Sequence, residues 1–318
     1  MNAETQTPGW GHAKADNTRH YSSTIESALQ AALAARGITA PSIRVDGEIS
    51  RFDAPDKKRG NLVCWCVCPS PEVAVWGRWD TGEQETVTLK GVHDPIAAER
   101  ARQAADAARQ ERQQQREREQ AQAAEVARQR WAAAVTANPA HPYLKAKGIG
   151  PHGLRQQGDT LLVPLSLYAD GTGTLVNLQR IRPDGSKRFL THGRVKGAAA
   201  LIGNLAGARV VYLCEGWATA ASIHEATNRP VVAAMNANNL LPVAKRFRAL
   251  LPAEVGIIVA ADNDRRTQGN GNPGLTAGRY AAETIGASIT WPKFPCGCTT
   301  CTDFNDLAAC ERRKEAAV

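Results

Sequence analysis

No apolar run in this chain approaches the roughly 20 residues that a membrane-crossing helix needs. The opening stretch MNAETQTPGWGHAKADNTRHYSS has no apolar segment of signal-peptide length. Membrane insertion and export are therefore not expected, and a cytoplasmic location is. With no secretion signal, the eight cysteines point to reduced thiols or metal ligands rather than a disulfide framework. The long charged segment in the middle of the chain lacks heptads with apolar a and d positions, which leaves a coiled-coil dimer without support. What is present is a chain of 318 residues, 43% hydrophobic and 22% charged, long enough to divide into two or three units. Lysine and arginine number 39 against 31 acidic residues, a net charge of +8 that favours an anionic partner such as nucleic acid or nucleotide.

Shifts in pattern mark the organisation. Residues 1–20 are polar and aperiodic, a loose leader. Residues 21–90 read as a small α+β module. Its helix carries Ile25, Leu29 and Leu33 at helical spacing, with Ser22 or Ser23 as cap and Gly37 as stop. IRVDG, RFDA, LVCWCVC and EVAVWGRW follow as strand-like runs between turns. Alternation sets Cys64, Cys66 and Cys68 on one strand face, as small buried residues or as zinc ligands. Residues 91–135 hold a helical spacer with Asp94 as cap and Pro95 at its first position; almost no large apolar residue interrupts its charges, so the helix is expected to be solvated.

Residues 136–205 contain TLLVPLSL, TLVNLQRI and KRFLTHG, a β-meander with turns at Asp170-Gly171 and Asp184-Gly185, and form a basic β-rich subdomain. Across 206–310 the period alternates. RVVYLC, PVVAAM, VGIIVAA and ASITW read as strands, with WATAASIHEAT, NLLPVAKRFRALL and GLTAGRYAAETIG as helices between them. Near-continuous apolar strands alternating with helices predict an α/β fold, a parallel sheet with helices on both faces. Residues 311–318 are a tail.

In such a sheet the functional edge lies at the carboxyl ends of the strands. Glu215 directly follows RVVYLC, and Asp262 and Asp264 directly follow VGIIVAA. Residues two apart in an extended segment project to one side, so Asp262 and Asp264 converge while Asn263 points away. Close carboxylates repel unless a cation neutralises them, and oxygen-only ligands suit Mg2+ or Mn2+ sharing their remaining positions with phosphate oxygens. Metal-assisted phosphoryl or nucleotidyl transfer is the implied chemistry. The competing reading makes each acid the cap of the helix that follows it. Asp303 and Asp306 either add carboxylates to this rim or serve as a cap of FNDLAACERR.

The segment QRIRPDGSKRFLTHGRVK gathers Arg180, Arg182, Lys187, Arg188, Arg194 and Lys196 on or beside one hairpin, suited to phosphates and single strands or simply solvated. Phe189 either stacks on a base or fills core. The glycines of the loop from Arg265 to Pro273 allow a backbone to approach a phosphate. Cys296, Cys298, Cys301 and Cys310 offer four thiolates to a structural Zn2+, although the spacing is not the usual pair of C-x2-C motifs and Cys310 also suits a core position of the last helix.

The series YLCEGWATA, AADND, GNGNPG and DFND resembles the Toprim domain, the catalytic fold shared by bacterial-type primases, topoisomerases and some nucleases. HPYLKAKGI, LLVPL, NLQRIRPDGSKRFL and TDFNDL narrow the likeness to primases carried by plasmids and phages, over residues 138–310, and DGEISRF and WGRWDTGE extend it weakly to the N-terminal module. The resemblance implies a DNA primase that makes short RNA primers on single-stranded DNA from ribonucleoside triphosphates. Glu215 would then be the first-motif glutamate, Asp262 and Asp264 the DxD pair holding the metals, and Arg180, Lys187 and Arg188 the residues serving template and nucleotide. No G-x-x-x-x-G-K-[ST] loop occurs, so unwinding would fall to a separate replicative helicase. A Toprim-type nuclease and a non-catalytic accessory protein binding single-stranded nucleic acid are the alternatives.

Overall fold

Ile25, Leu29 and Leu33 fall four residues apart, and all three are buried on one face of helix α1 (Ile25–Ala34), where Thr24 is the cap, its hydroxyl accepting from the Ser27 amide. A computed structural model describes this helix and the rest of the chain over residues 24–40, 42–89, 95–169, 172–265, 271–294 and 300–315; the leader, Ser22, Ser23, Asp94, the Asp170-Gly171 turn, Cys296, Cys298 and residues 316–318 lie outside the described residues. The chain divides into two units, residues 1–114 and 115–318.

In the first unit, strands β1 (Ser50–Phe52), β2 (Cys64–Ser70), β3 (Val73–Arg78) and β4 (Gln84–Thr88) form an antiparallel sheet in that order. Cys64, Cys66 and Cys68 lie buried with Phe52, Ala74 and Trp76 in the core that α1 covers. Burial pushes all three thiols up, Cys68 to about 11, so they are packing residues in their neutral form. IRVDG does not form the expected strand. The Asp46 carboxylate accepts from the Glu48 amide and Gly47 turns at positive φ, so local side-chain bonding wins over a ladder there.

Helix α2 (Pro95–Ala133) forms as expected, but its last turns are not solvated. Ala127 is fully buried with Leu162, Leu178 and Leu190, and Trp131 packs beside them. Alanine at helical spacing, with Val126 exposed and Trp131 beside them, is enough to seat this end on a sheet.

That sheet belongs to the second unit. Strands β5 (Val135–Thr136), β6 (Arg155–Gln157), β7 (Thr160–Tyr168), β8 (Gly173–Ile181) and β9 (Lys187–Phe189) run antiparallel in sequence order, with the short helix α3 (Pro142–Lys147) between the first two. The Asp184-Gly185 turn closes between β8 and β9, the Gly185 amide donating to the Arg182 carbonyl with Gly185 at positive φ. Phe189 packs against the core.

A second sheet follows, from β10 (Ala200–Ile202), β11 (Val210–Cys214), β12 (Val231–Ala233), β13 (Gly256–Ala260) and β14 (Ser288–Thr290), in the order β10-β12-β11-β13-β14. Four strands are parallel. The fifth corrects the expectation of a wholly parallel sheet: β10, which the sequence reading placed in the β-rich subdomain, pairs antiparallel with β12 at the edge. Helices α4 (Trp217–Thr227), α5 (Ala237–Leu250), α6 (Pro273–Ile285) and α7 (Phe304–Glu315) complete the unit, and α7 extends through residues read as tail. Alternation explains why helices cover both faces. Val211, Leu213 and Val232 point into a core with Phe247 of α5 and Ala281 of α6, while Cys214, Val231 and Ala233 point into another with Trp217 and Ala220 of α4. The α4 side is shared with Leu161, Val163 and Ile181 of the antiparallel sheet, so the two sheets are joined by one core.

Candidate active site

Strands β11 and β13 are neighbours in register, Cys214 beside Ala260, so both end at the same rim. Glu215 leaves the first strand and Asp262 the second, and the two carboxylates line one cavity of about 260 Å3 together with Asp303, Lys147, Lys187 and Gln179. The first turn of α4 forms another wall, from Gly216 to Thr219. Gly216 is the cap of that helix and contributes no side-chain hydrogen bond, so the first-turn amides face the cavity without a side-chain acceptor. Met235, two residues beyond β12, lines the same cavity at φ 71°, a left-handed conformation that a non-glycine residue adopts at some cost, and its amide donates to the Glu215 carbonyl.

The electrostatics are unusual. Asp262 Oδ1 is buried and, among the described residues, has no hydrogen-bond partner. Burial, then Glu215, Asp303, Asp264 and Asp306 in turn, push its carboxyl up to about 8. Burial and Asp264 raise Glu215, against the Ala237 amide and Lys187, which favour its charged form. Asp303 is raised by burial as well, opposed by the Asp306 amide that donates to it. The Lys187 ammonium is held below the usual lysine value by desolvation and by Lys147, against the pull of Asp303, Glu215 and Asp262. Its Nζ lies 5.6 Å from the centroid of the Tyr143 ring.

The acids expected from sequence therefore divide. Glu215, Asp262 and Asp303 line the cavity. Asp264 turns toward the start of α6, where its Oδ2 accepts from the Gly274 amide at 3.0 Å. The Asp303 side chain accepts from the Asp306 amide at 2.8 Å, so it caps α7 and faces the cavity at once. Asp306 accepts from the Thr302 amide. Among the described residues, no three histidine, cysteine, aspartate or glutamate side chains meet closely enough to hold one ion by themselves. Cys301 and Cys310 are buried, Cys310 at the core position anticipated for it.

The basic hairpin also divides. Arg180 pairs with Arg188 across β8 and β9, and Gln179 and Lys187 occupy the adjacent positions, so the two sets project from opposite faces. Lys187 and Gln179 face the carboxylates. Arg180 and Arg188 lie in a separate pocket. Sequence reasoning had grouped Arg180, Lys187 and Arg188, and missed Lys147, Gln179 and the first turn of α4. The HPYLKAK motif was the available signal for Lys147.

The Toprim domain profile matches residues 210–313, which span the rim and every carboxylate around it. Residues 210–313 are a Toprim domain. The chain is 34% identical to an Escherichia coli DNA primase TraC over 181 residues, 54% of this chain and 16% of that protein. A second Escherichia coli DNA primase TraC is 34% identical over 225 residues, covering 67% of this chain and 15% of that protein. The chain thus spans about a sixth of the length of these relatives. Among solved structures, the Aquifex aeolicus primase with its zinc-binding and RNA polymerase domains is 14% identical, covers 90% of this chain and 81% of that one, and superposes with a TM-score of 0.41. A DNA primase domain from Pseudomonas aeruginosa is 18% identical, covers 52% of each chain and gives 0.33. The Toprim match agrees with the α/β architecture of these residues.

Proposed function

We propose that the second unit is the catalytic core of a DNA primase that joins ribonucleotides into short RNA primers on single-stranded DNA, in the manner of plasmid and phage replication. One observation carries the reading: a buried carboxylate oxygen of Asp262 without a partner among the described residues, beside Glu215, Asp264 and Asp303, at the carboxyl ends of adjacent strands. An orphaned acid among acids calls for a cation, and an all-oxygen donor set fits Mg2+ or Mn2+. Glu215, Asp262 and Asp264 would hold the ions, with Asp303 alongside. Among the described residues too few acids converge for a cage of protein ligands alone, which accords with a Mg2+ that keeps waters and shares phosphate oxygens. Bound there, divalent ions supply charge neutralisation for the attack of a hydroxyl on an α-phosphate and for the departing pyrophosphate.

The chain's own part is positioning. Lys187 and Lys147 would attract the triphosphate, and the first-turn amides of α4 would donate to its oxygens, aided by the helix dipole. Gln179 would orient the nucleotide or the template beside them. Template DNA, ribonucleoside triphosphates and a separate replicative helicase are the partners this reading requires. A structural Zn2+ at the C-terminal cysteines remains a proposal for metal analysis of purified protein, since Cys296 and Cys298 lie outside the described residues.

Labelled ribonucleotides incubated with single-stranded DNA of varied sequence and Mg2+ test the proposal. Short oligomers are expected, and Asp262→Ala should abolish them; unchanged product from that variant would remove the assigned centre. Scission of the DNA without nucleotides would replace the primase by a nuclease. A tyrosine nucleophile of the topoisomerase kind is disfavoured at Tyr143, which is buried and whose hydroxyl burial pushes up to about 12.

A further inference from the structure

Arg130, Arg180, Arg182 and Arg188 line one pocket of about 380 Å3, on the face of the antiparallel sheet turned away from the carboxylate cavity. Leu162, Arg180 and Arg188 form a single cross-strand row on β7, β8 and β9. Arg182 reaches in from the turn after β8, and Arg130 from the end of α2. Thr160 and Ser186 add hydroxyls to the lining.

Among the described residues the only carboxylate near this charge is Asp184, held below its usual range by Ser186 and, to a lesser degree, by Arg182 from the same turn. Among the described residues, none of the four arginines makes an ion pair with a carboxylate. Asp184, on the same turn, is bonded to Ser186. Arg180 Nε is buried and, among the described residues, has no hydrogen-bond partner. Arg155 shows the contrast: its guanidinium stacks on Trp131 and donates to the Trp131 carbonyl. Guanidinium groups cannot shed their protons in a protein, so four of them around one small concavity repel until an anion enters.

We infer that this pocket is a second anion site, distinct from the carboxylate cavity, and that it takes a 5′-triphosphate group. The density of charge selects the ligand. A nucleic-acid strand carries one phosphate charge per nucleotide, spread along a groove, whereas a triphosphate concentrates three to four charges within the reach of converging guanidinium forks. Such a group comes either from a free nucleoside triphosphate or from the 5′ end of an RNA that begins with one.

Calorimetric titration of the full chain in EDTA, without template, tests the site separately from primer synthesis, because a nucleotide held at the carboxylates would need a divalent ion. Inorganic tripolyphosphate is the probe. Binding is expected, with Arg130→Gln and Arg182→Gln each weakening it at least tenfold and Lys187→Ala leaving it unchanged. Arg182 is exposed, so its replacement leaves the fold intact, which a melting curve checks. ATP should bind like tripolyphosphate and AMP at least tenfold more weakly. An RNA oligomer with a 5′-triphosphate that displaces the probe better than ATP assigns the site to an RNA end, and equal displacement assigns it to the free nucleotide. The inference is overturned by no binding at millimolar probe, by binding indifferent to both glutamine variants, or by a 5′-hydroxyl oligonucleotide that competes as well as its triphosphorylated form.

Discussion

Replacing Asp262 by asparagine in metal-free protein should change stability in a way that depends on pH. The carboxyl titrates near 3.8 when the chain is unfolded, and the native site pushes it up to about 8. Below pH 3.8 both states are protonated and the site carries no penalty. Between these values the native protein retains a proton that the unfolded chain has released, so native stability falls as pH rises, and the penalty is complete above pH 8. At about 1.4 kcal/mol per pH unit, the window amounts to on the order of 5 kcal/mol for this one group. Asparagine cannot ionise and escapes it. Thermal unfolding of both proteins in EDTA at pH 5 and pH 8 reads the difference, and comparing them at each pH cancels the titrating groups that do not interact with Asp262. Each kcal/mol shifts the melting temperature of a unit this size by roughly 2–4 °C. The advantage of the variant should therefore grow by about 5 °C or more from pH 5 to pH 8. An advantage that stays flat across that range refutes the assignment of Asp262 as a buried, cation-seeking acid. Mg2+ should then stabilise the wild type at pH 8 through binding to the native state. Equal stabilisation of Asp262→Asn by Mg2+ would remove this residue from the ion site.

Further outcomes follow from the packing. Gly274→Ala would set a Cβ 2.7 Å from Asp264 Oδ2 and 3.0 Å from the Asp262 carbonyl oxygen, so primer synthesis should fall at least tenfold, and full activity would show that the loop yields freely. Lys187→Ala should raise the KM for ribonucleotides severalfold with a smaller change in kcat, as measured in the primer assay, if the lysine binds the triphosphate before the reaction. Asn305→Ala removes the buried amide that donates to the Lys147 carbonyl and to Ser222 Oγ, and should cost about 1–3 kcal/mol in denaturant unfolding. Ala127→Glu places a charge where α2 meets Leu162 and Leu178, and should destabilise the chain by about 2 kcal/mol or more; a neutral effect would return the end of α2 to solvent.

Much of the second unit was legible because its signals are local. Apolar strands such as RVVYLC and VGIIVAA stop at acids, and that juncture alone marks Glu215 and Asp262. Helices α4, α5 and α6 were bounded by the same change of period. What sequence could not supply was cross-strand information. The antiparallel edge of β10 depends on its pairing with β12, which no local pattern encodes, and the burial of α2 rests on alanines that count as neither apolar stripe nor polar face. IRVDG failed as a strand for a local reason that was visible: an aspartate followed by glycine favours its own turn.

The division of the basic hairpin follows from strand geometry alone. Lys187 and Arg188 are consecutive, and in a pleated strand consecutive side chains must leave by opposite faces. Reading QRIRPDGSKRFL as one cluster of positive charge is correct as a sum and misleading as a site. One face of the sheet meets the carboxylates across a shared core, which places Lys187 where a triphosphate and its ions would be handled. The other face receives the end of α2, which turns Arg130 toward Arg180 and Arg188. The arginine pocket thus needs the seating of α2 that the alanines provide. Ala127→Glu should accordingly weaken tripolyphosphate binding together with stability, whereas Asp262→Asn should leave that binding untouched. Loss of both on Asp262→Asn would mean that the two faces share a single anion site, and the separation argued from the strand register would fail.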